Sequence, residues 1–376
     1  EFWGYRKNQG ATLNLEYRPS ESLQVYVRAT TNQSTTNHNS DQYRIQVANN
    51  APFTLTSPTS GIFSAADTQA RYAQLRQDRT QDLRNLAAGI KKVSGNLILE
   101  PVLSYSHAAE GRPRLRRGPV WDAPRGKVGR LAFELQPGDR YARKWEGLDP
   151  AWKDPSNFLF TNLHIDDGGI TKEDTSSARI DARWNLESLF GGRGFLKTGT
   201  KVIRRDRFTD LVSFRLLPAS SWGLANITDV TLAGASTFGG RYQTPFSLKE
   251  DRIMSFVDQN RTLTTFDKAG SDSNSIEDDY GIIEDIYSVY AMGNLTFGKV
   301  TVLGGLRWER TVATISAWEN RTQNRVSLGY FPVKVHAAGY GTFLPNLQAI
   351  LRPSKQLALR GAVTESIGRP AYEDAR

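Results

Sequence analysis

The stretch Ile286–Thr311, IYSVYAMGNLTFGKVTVLGGLRWERT, constrains this chain more than any other. Tyr287, Val289, Ala291, Gly293, Leu295 and Phe297 share one parity, and Ser288, Tyr290, Asn294 and Thr296 share the other. A period of two is that of a strand with one apolar face. Gly298-Lys299 breaks the run. Beyond it Val300, Val302, Gly304, Leu306 and Trp308 are apolar, while Thr301, Arg307, Glu309 and Thr311 are polar. A two-residue turn pairs Phe297 with Val300, and paired residues share a face. The apolar stripes therefore merge on one side of the hairpin and the polar stripes on the other. Each strand reaches about a dozen residues, against roughly 5–6 in ordinary globular proteins; a tilted strand crossing a bilayer needs about 9–11. Tyr287, Phe297 and Trp308 bound the apolar face as an aromatic girdle would. From this hairpin alone, a membrane barrel and a large soluble sheet stand as equals.

The rest of the chain separates them. The same alternation occurs at Ala11–Tyr17 and Leu23–Ala29 around the turn Arg18-Pro19-Ser20-Glu21-Ser22. It returns at Leu83–Lys92 and Leu97–Tyr105, at Ala178–Leu186 and Lys197–Val202, and at Phe343–Arg352 and Leu357–Val363. Residues 31–81, 108–174, 209–283 and 313–341 read as long polar segments, with a short helix expected over Ala65–Asp82. Short and long connections thus alternate strictly through five hairpins. Tight turns at one rim and long loops at the other are the layout of an outer-membrane barrel, with periplasmic turns and extracellular loops. A soluble sandwich has no reason to gather its long loops on one side. The fold expected is all-β: an antiparallel transmembrane β-barrel, here a partial barrel of about ten to twelve strands. Pro101 and Pro345 cannot donate to a ladder; Pro345 is expected at the outer end of its strand.

Composition agrees and excludes other classes. No run of about 18 apolar residues occurs, so no transmembrane helix is present, and a barrel is the membrane-spanning class this leaves open. The chain has no cysteine, which removes disulfide frames, thiolate metal sites and cysteine nucleophiles. The net charge of +9 is concentrated in places, above all between Gly111 and Arg130.

Three stretches carry a family resemblance: Glu284–Thr311, Leu344-Pro345-Asn346-Leu347, and Ser366-Ile367-Gly368-Arg369-Pro370-Ala371-Tyr372-Glu373-Asp374. Together with Ala11–Ala29 they resemble the barrel of TonB-dependent outer-membrane receptors. The resemblance covers most strands and few loops. It implies a barrel of about 22 strands with a plugged lumen, in the outer membrane of Gram-negative bacteria. It implies active uptake of a scarce solute, a carbohydrate or a siderophore-like ligand, driven by the TonB complex acting through the N-terminal region. Residues 1–376 are then expected to form part of one barrel domain, with the plug domain absent from this chain. Glu365 and Ala375-Arg376 depart from the family's pattern. The alternative is a passive porin-like channel.

No catalytic constellation is legible, and the chain is not read as an enzyme. A soluble β-rich glycosidase would need paired carboxylates on rigid strands facing one cleft, and the strands concentrate none. His38, His107, His164 and His336 lack metal-ligand spacing, so no metal or cofactor is expected. Glu277-Asp278-Asp279 reads either as a calcium ligand set or as a solvated loop end. Gly191-Gly192-Arg193-Gly194 lacks the Lys-Ser/Thr of a phosphate loop and reads as a turn. In the second long segment, Arg114, Arg116 and Arg117 with Trp121 suit an anionic ligand or the phosphates of lipopolysaccharide; the plain alternative is a hydrated loop. Trp145 and Trp152 either stack on the rings of an oligosaccharide or pack the loop against itself. Arg179, Asp181, Arg183, Arg307 and Glu309 are expected to face the lumen, to line it as ion pairs and to grip the plug rather than to touch solute. Outer-membrane lipid is an expected partner, and nucleic acid is not.

Overall fold

The structure is a computed structural model. It describes residues 2–111, 116–136, 138, 144–166, 168–227, 236–237, 242–243, 250–323 and 326–368. In chain order the first strands are β1 (Phe2–Ser20), β2 (Leu23–Val47), β3 (Phe53–Ser57), β4 (Ser60–Phe63), β5 (Thr68–Ser94) and β6 (Leu97–Gly111). There follow β7 (Arg116–Ala123), β8 (Leu131–Glu134), β9 (Lys144–Gly147), β10 (Leu159–Asp166), β11 (Ile170–Leu189), β12 (Gly192–Asp210) and β13 (Ser213–Pro218). The last third holds β14 (Ser236–Thr237), β15 (Tyr242–Gln243), α1 (Glu250–Gln259), β16 (Thr264–Phe266) and α2 (Lys268–Ile276). It ends with β17 (Tyr280–Phe297), β18 (Val300–Gln323), β19 (Val326–Leu351) and β20 (Leu359–Thr364).

Ten of these form an antiparallel meander in the order β1-β2-β5-β6-β11-β12-β17-β18-β19-β20. This is the wall of a partial barrel: β1 pairs only with β2 and β20 only with β19 among the described residues. All five hairpins read from the sequence are present, and Phe297 pairs with Val300. The tight turns take the backbone that right-twisted hairpins demand. At the β11–β12 turn, Phe190 and Gly191 both have positive φ, 52° and 82°.

Beyond the tight turns the wall continues upward as a second tier. β7 extends β6 along the same edge of β5, with Arg76↔Arg117 following Thr80↔Gly111. β10 leads into β11, and β13 prolongs β12, pairing with β10 as β12 pairs with β11. The four-stranded sheet β3-β4-β8-β9 is separate from this large sheet.

Three expectations are corrected here. No helix forms over Ala65–Asp82 apart from a single 3-10 turn at Ala65–Asp67; Thr68–Ser94 is one strand, with Thr68, Ala70, Tyr72, Gln74 and Arg76 buried on one parity. Residues 31–47 and 68–82 are not a loop. They pair throughout; along 31–39 and 76–82 both faces are polar, with cross-strand bonds such as Gln33 Nε2 to Asp82 Oδ1 at 3.1 Å, while Tyr43, Ile45, Ala70 and Tyr72 above them turn to an apolar core. Residues 313–341 are likewise a hairpin, paired up to Gln323↔Val326.

The prolines show how the ladders tolerate them. Pro345 lies inside β19 opposite Leu306, not at the outer end. Its carbonyl accepts from Glu365 N at 3.0 Å, just past the last β19–β20 pair, Asn346↔Thr364. The missing donor thus falls where that ladder stops. At Pro101 the β5–β6 ladder is interrupted.

Candidate functional site

The two faces of the wall are chemically exchanged relative to a soluble protein. Val289 and Leu306, on the apolar parity, are each 48% exposed. Asp181 and Glu309, on the polar parity, are 3% and 7% exposed. Burying carboxylates while exposing Leu and Val is costly in water, and the buried charges must be paired.

They are paired in a ladder across the strands. Register places Glu100, Asp181, Gly199, Tyr290 and Arg307 in one row through β6, β11, β12, β17 and β18. Asp181 accepts from Lys197 Nζ at 3.1 Å and from Tyr290 Oη at 2.7 Å, and Arg179 lies 3.8 Å away. Two nitrogens of Arg307 donate to Glu309 Oε2, at 3.0 and 2.6 Å. Higher up, Arg205 pairs with Glu284 at 3.2 Å, and Arg207 bridges Glu173 and the Tyr280 hydroxyl at 3.3 and 3.1 Å. Arg183 lies on the same face but has a different environment: it donates to Asn185 Oδ1 at 2.9 Å and lies 3.9 Å above the Phe195 ring. So Arg179, Asp181, Arg183, Arg307 and Glu309 all lie on the polar face, with Lys197 and Tyr290 completing the Asp181 cluster. The parity of Tyr290 was legible; its partner two strands away was not.

The aromatic residues of the long segments serve the second tier. Ala70, Tyr72, Trp121, Leu131, Trp152, Phe158, Phe160, Trp222 and Ile253 belong to one apolar core. Trp121 is 0% exposed, with Tyr72 at 5.7 Å and Phe160 at 6.3 Å between ring centroids. Trp152 is buried and donates from Nε1 to Arg130 O at 2.8 Å. Trp145 stacks on Phe63. Of the two readings for Trp145 and Trp152, the geometry is that of packing, and Trp121 presents no ring face outward. Arg116 and Arg117 lie on β7, opposite Asp166 and Ile165, and their side chains fall outside the described residues, as does all of Arg114. The motif from Arg369 onward also falls outside.

This tier brings together groups that the sequence left scattered. His164 Nε2 lies 2.6 Å from Asp166 Oδ1 and 3.0 Å from Ser213 Oγ. A hydrolytic triad needs the carboxylate on the opposite ring nitrogen; here Asn274 faces that nitrogen at 3.2 Å, and Ser213 is buried. The arrangement is a structural tie between β10, β13 and α2. In the acidic run, Glu277 accepts from Tyr330 Oη at 2.6 Å and Asp279 from Leu211 N at 2.6 Å; burial, with Asp210 and Asp278 nearby, pushes the Asp279 carboxyl up. Among the described residues no group of three or more His, Asp or Glu is placed to hold a metal.

Comparison with known proteins gives the family. The description "TonB dependent receptor-like, beta-barrel" matches residues 2–376. Nothing among curated proteins matches. Among solved structures the chain is similar to the ferric-catecholate import receptor Fiu of E. coli K12, at 7% identity and a TM-score of 0.42, over 94% of this chain and 48% of that one. It is also similar to the siderophore receptor PiuA of Acinetobacter baumannii, at 10% identity and a TM-score of 0.38, over 94% and 46%. The chain spans about half the length of these two proteins. With the family description covering the wall and both tiers, the chain belongs to the TonB-dependent receptor-like β-barrel family.

Proposed function

We propose that the chain is part of an outer-membrane receptor of a Gram-negative bacterium that takes up a scarce solute with energy from the TonB complex. The observation that carries the reading is the exchange of faces, with an exposed band of Val, Leu and aromatic side chains outside and closed ion pairs inside. That band suits lipid, since a spanning strand must satisfy its backbone in the sheet and turn its apolar parity outward. Family membership supports TonB as the energy source and a small solute, siderophore-like or carbohydrate, as cargo. The tier remote from the tight turns then faces the cell exterior, where its packed core holds the loops in a defined shape for capture. Lipopolysaccharide surrounds the band on that side.

The test uses the intact receptor in a planar bilayer and a pull-down on the immobilised C-terminal domain of TonB. An electrically silent protein that binds TonB supports energised uptake. A steady open conductance with no TonB binding makes the protein a passive porin-like channel.

A further inference from the structure

β13 pairs with β10 along one edge and with β16 along part of the other, from Pro218↔Thr264 to Leu216↔Phe266. There the partner strand ends. Asp267 N still donates to Arg215 O at 2.9 Å, and from Lys268 onward the chain is α2. Among the described residues, the edge of β13 at Ser213 and Arg215 is a strand edge with no strand beside it.

α2 completes that edge with serines. Arg215 N donates to Ser271 Oγ at 2.9 Å and Ser213 N to Ser275 Oγ at 2.8 Å. Ser275 Oγ donates back to Ser213 O at 3.1 Å. The spacing explains how a helix can do this. Four helical residues rise about 6 Å, and two strand residues about 6.7 Å. Hydroxyls at i and i+4 therefore meet the N–H groups of alternate strand residues.

The helix has little else to hold it. Its nine residues include Gly270, Asn274 and three serines, and its one buried side chain is Ser271. Such a helix is marginal by itself, and neither Ala269 nor Ile276 is buried to fasten it. The other attachments are polar. Asp267 accepts from Gly270 N at 3.0 Å and pairs with Arg215 at 3.4 Å, and Asn274 reaches His164 Nδ1 at 3.2 Å. Past the C-terminus, Glu277 accepts from the hydroxyl of Tyr330 on β19 at 2.6 Å. Water can replace each of these bonds at modest net cost, which it could not do for a buried apolar face.

We propose that α2 is a detachable strap. It closes the open edge of β13, ties the second tier to the β18–β19 hairpin through Tyr330, and comes away as one unit, residues 267–277, while both of those elements stay folded. Its two ends stay anchored, by Phe266 on Leu216 and by Asp279 on Leu211 N. With the strap on, the hairpin is held against the second tier; with it off, the two are free of each other at this point. The strap does not depend on what the receptor carries.

Hydrogen exchange on the intact receptor in detergent tests this, read at single amides by mass spectrometry with electron-transfer fragmentation. After correction for intrinsic rates, Ser213 and Arg215 are expected to exchange together with Ser271 and Glu277. All four should be at least tenfold faster than Phe214, which pairs with Ile165 on β10. Ser271→Ala with Ser275→Ala should speed Ser213 and Arg215 a further tenfold and leave Phe214 unchanged. Keeping the hydroxyl with Ser275→Thr should preserve the protection of Ser213. Tyr330→Phe should speed the α2 amides several-fold. Ser213 and Phe214 exchanging at one rate would mean that the edge opens only with the sheet, and would overturn the strap. So would an alanine pair without effect, or a Tyr330→Phe protein whose α2 exchanges as in the parent. If the double variant does not fold, the parent rates and Tyr330→Phe decide.

Discussion

Tyr290 donates its hydroxyl to Asp181 at 2.7 Å across an entire intervening strand. The bond exists because the residue between them is Gly199, paired with Asp181 on one side and Tyr290 on the other. A Cβ at position 199 would clash with Asp181 Oδ1 and sit 2.8 Å from the Tyr290 ring. Gly199→Val is therefore expected to break the bond and destabilise the wall more than Tyr290→Phe does. Tyr290→Phe leaves Asp181 with Lys197 and is expected to cost roughly 1.5–3 kcal/mol, the usual range for one lost bond to a charged group. Urea unfolding of the intact receptor in detergent checks the order; a Gly199→Val protein as stable as the parent would contradict the row.

The lipid band gives a second expectation. Leu306→Arg puts a charge on the exposed apolar parity near mid-wall and is expected to cost about 2–4 kcal/mol in folding into lipid. Asn346→Arg, on the polar parity opposite Gly305 and at nearly the same depth, is expected to cost little. Val302 would be a poorer probe, because it lies close to the Gly298-Lys299 turn, where the penalty falls toward zero. Equal costs at 346 and 306 would overturn the facing.

The second tier should respond to acid. Arg130 holds the Asp149 carboxyl below the usual carboxylate range, through its side chain and its backbone N–H at 2.6 Å. A depressed folded value means that the stabilisation is present above the unfolded value, about 4, and is lost as the pH falls through the folded one. Arg130 also accepts from Trp152 Nε1, so tryptophan fluorescence of the second tier should change as the pH drops below about 4. In Asp149→Asn that acid-dependent change should be missing.

Trp121→Ala removes the largest fully buried ring of the second-tier core and is expected to cost about 3–5 kcal/mol. Trp145→Ala, at a half-buried position, should cost less. Limited proteolysis should then cut between residues 112 and 169 while the wall stays resistant. Cleavage of the wall strands at the same rate would show that the two tiers unfold as one unit.

The wall was legible because its lower halves lie in the apolar band, where one parity must be hydrophobic. The same strands became illegible above it. Along residues 31–39 and 76–82 both parities are polar, and a chain that pairs Gln33 with Asp82 and Asn37 with Asp78 carries no periodic signal. The second-tier core was hidden for another reason: Tyr72, Trp121, Phe158 and Trp222 come from segments far apart in sequence, each too sparse in apolar residues to mark an element alone. The polar-face residues followed from parity, but the Asp181–Tyr290 bond needs cross-strand register, which short alternating segments do not fix between hairpins.

β5 belongs to both tiers, holding β6 along its lower edge and β7 along its upper edge without a break in its own pairing to β2. The consequence concerns modularity. The tip between β2 and β5, residues 48–67, can be exchanged without changing either register on β5, provided that the edge of β4 that pairs with β8 is kept. The segment 112–169 cannot be grafted so freely, because any insert must leave one register and enter another at fixed positions on β5 and β11. Diversification in such a receptor is therefore cheap at the tips and constrained at the junction, and a chimera designer should cut accordingly.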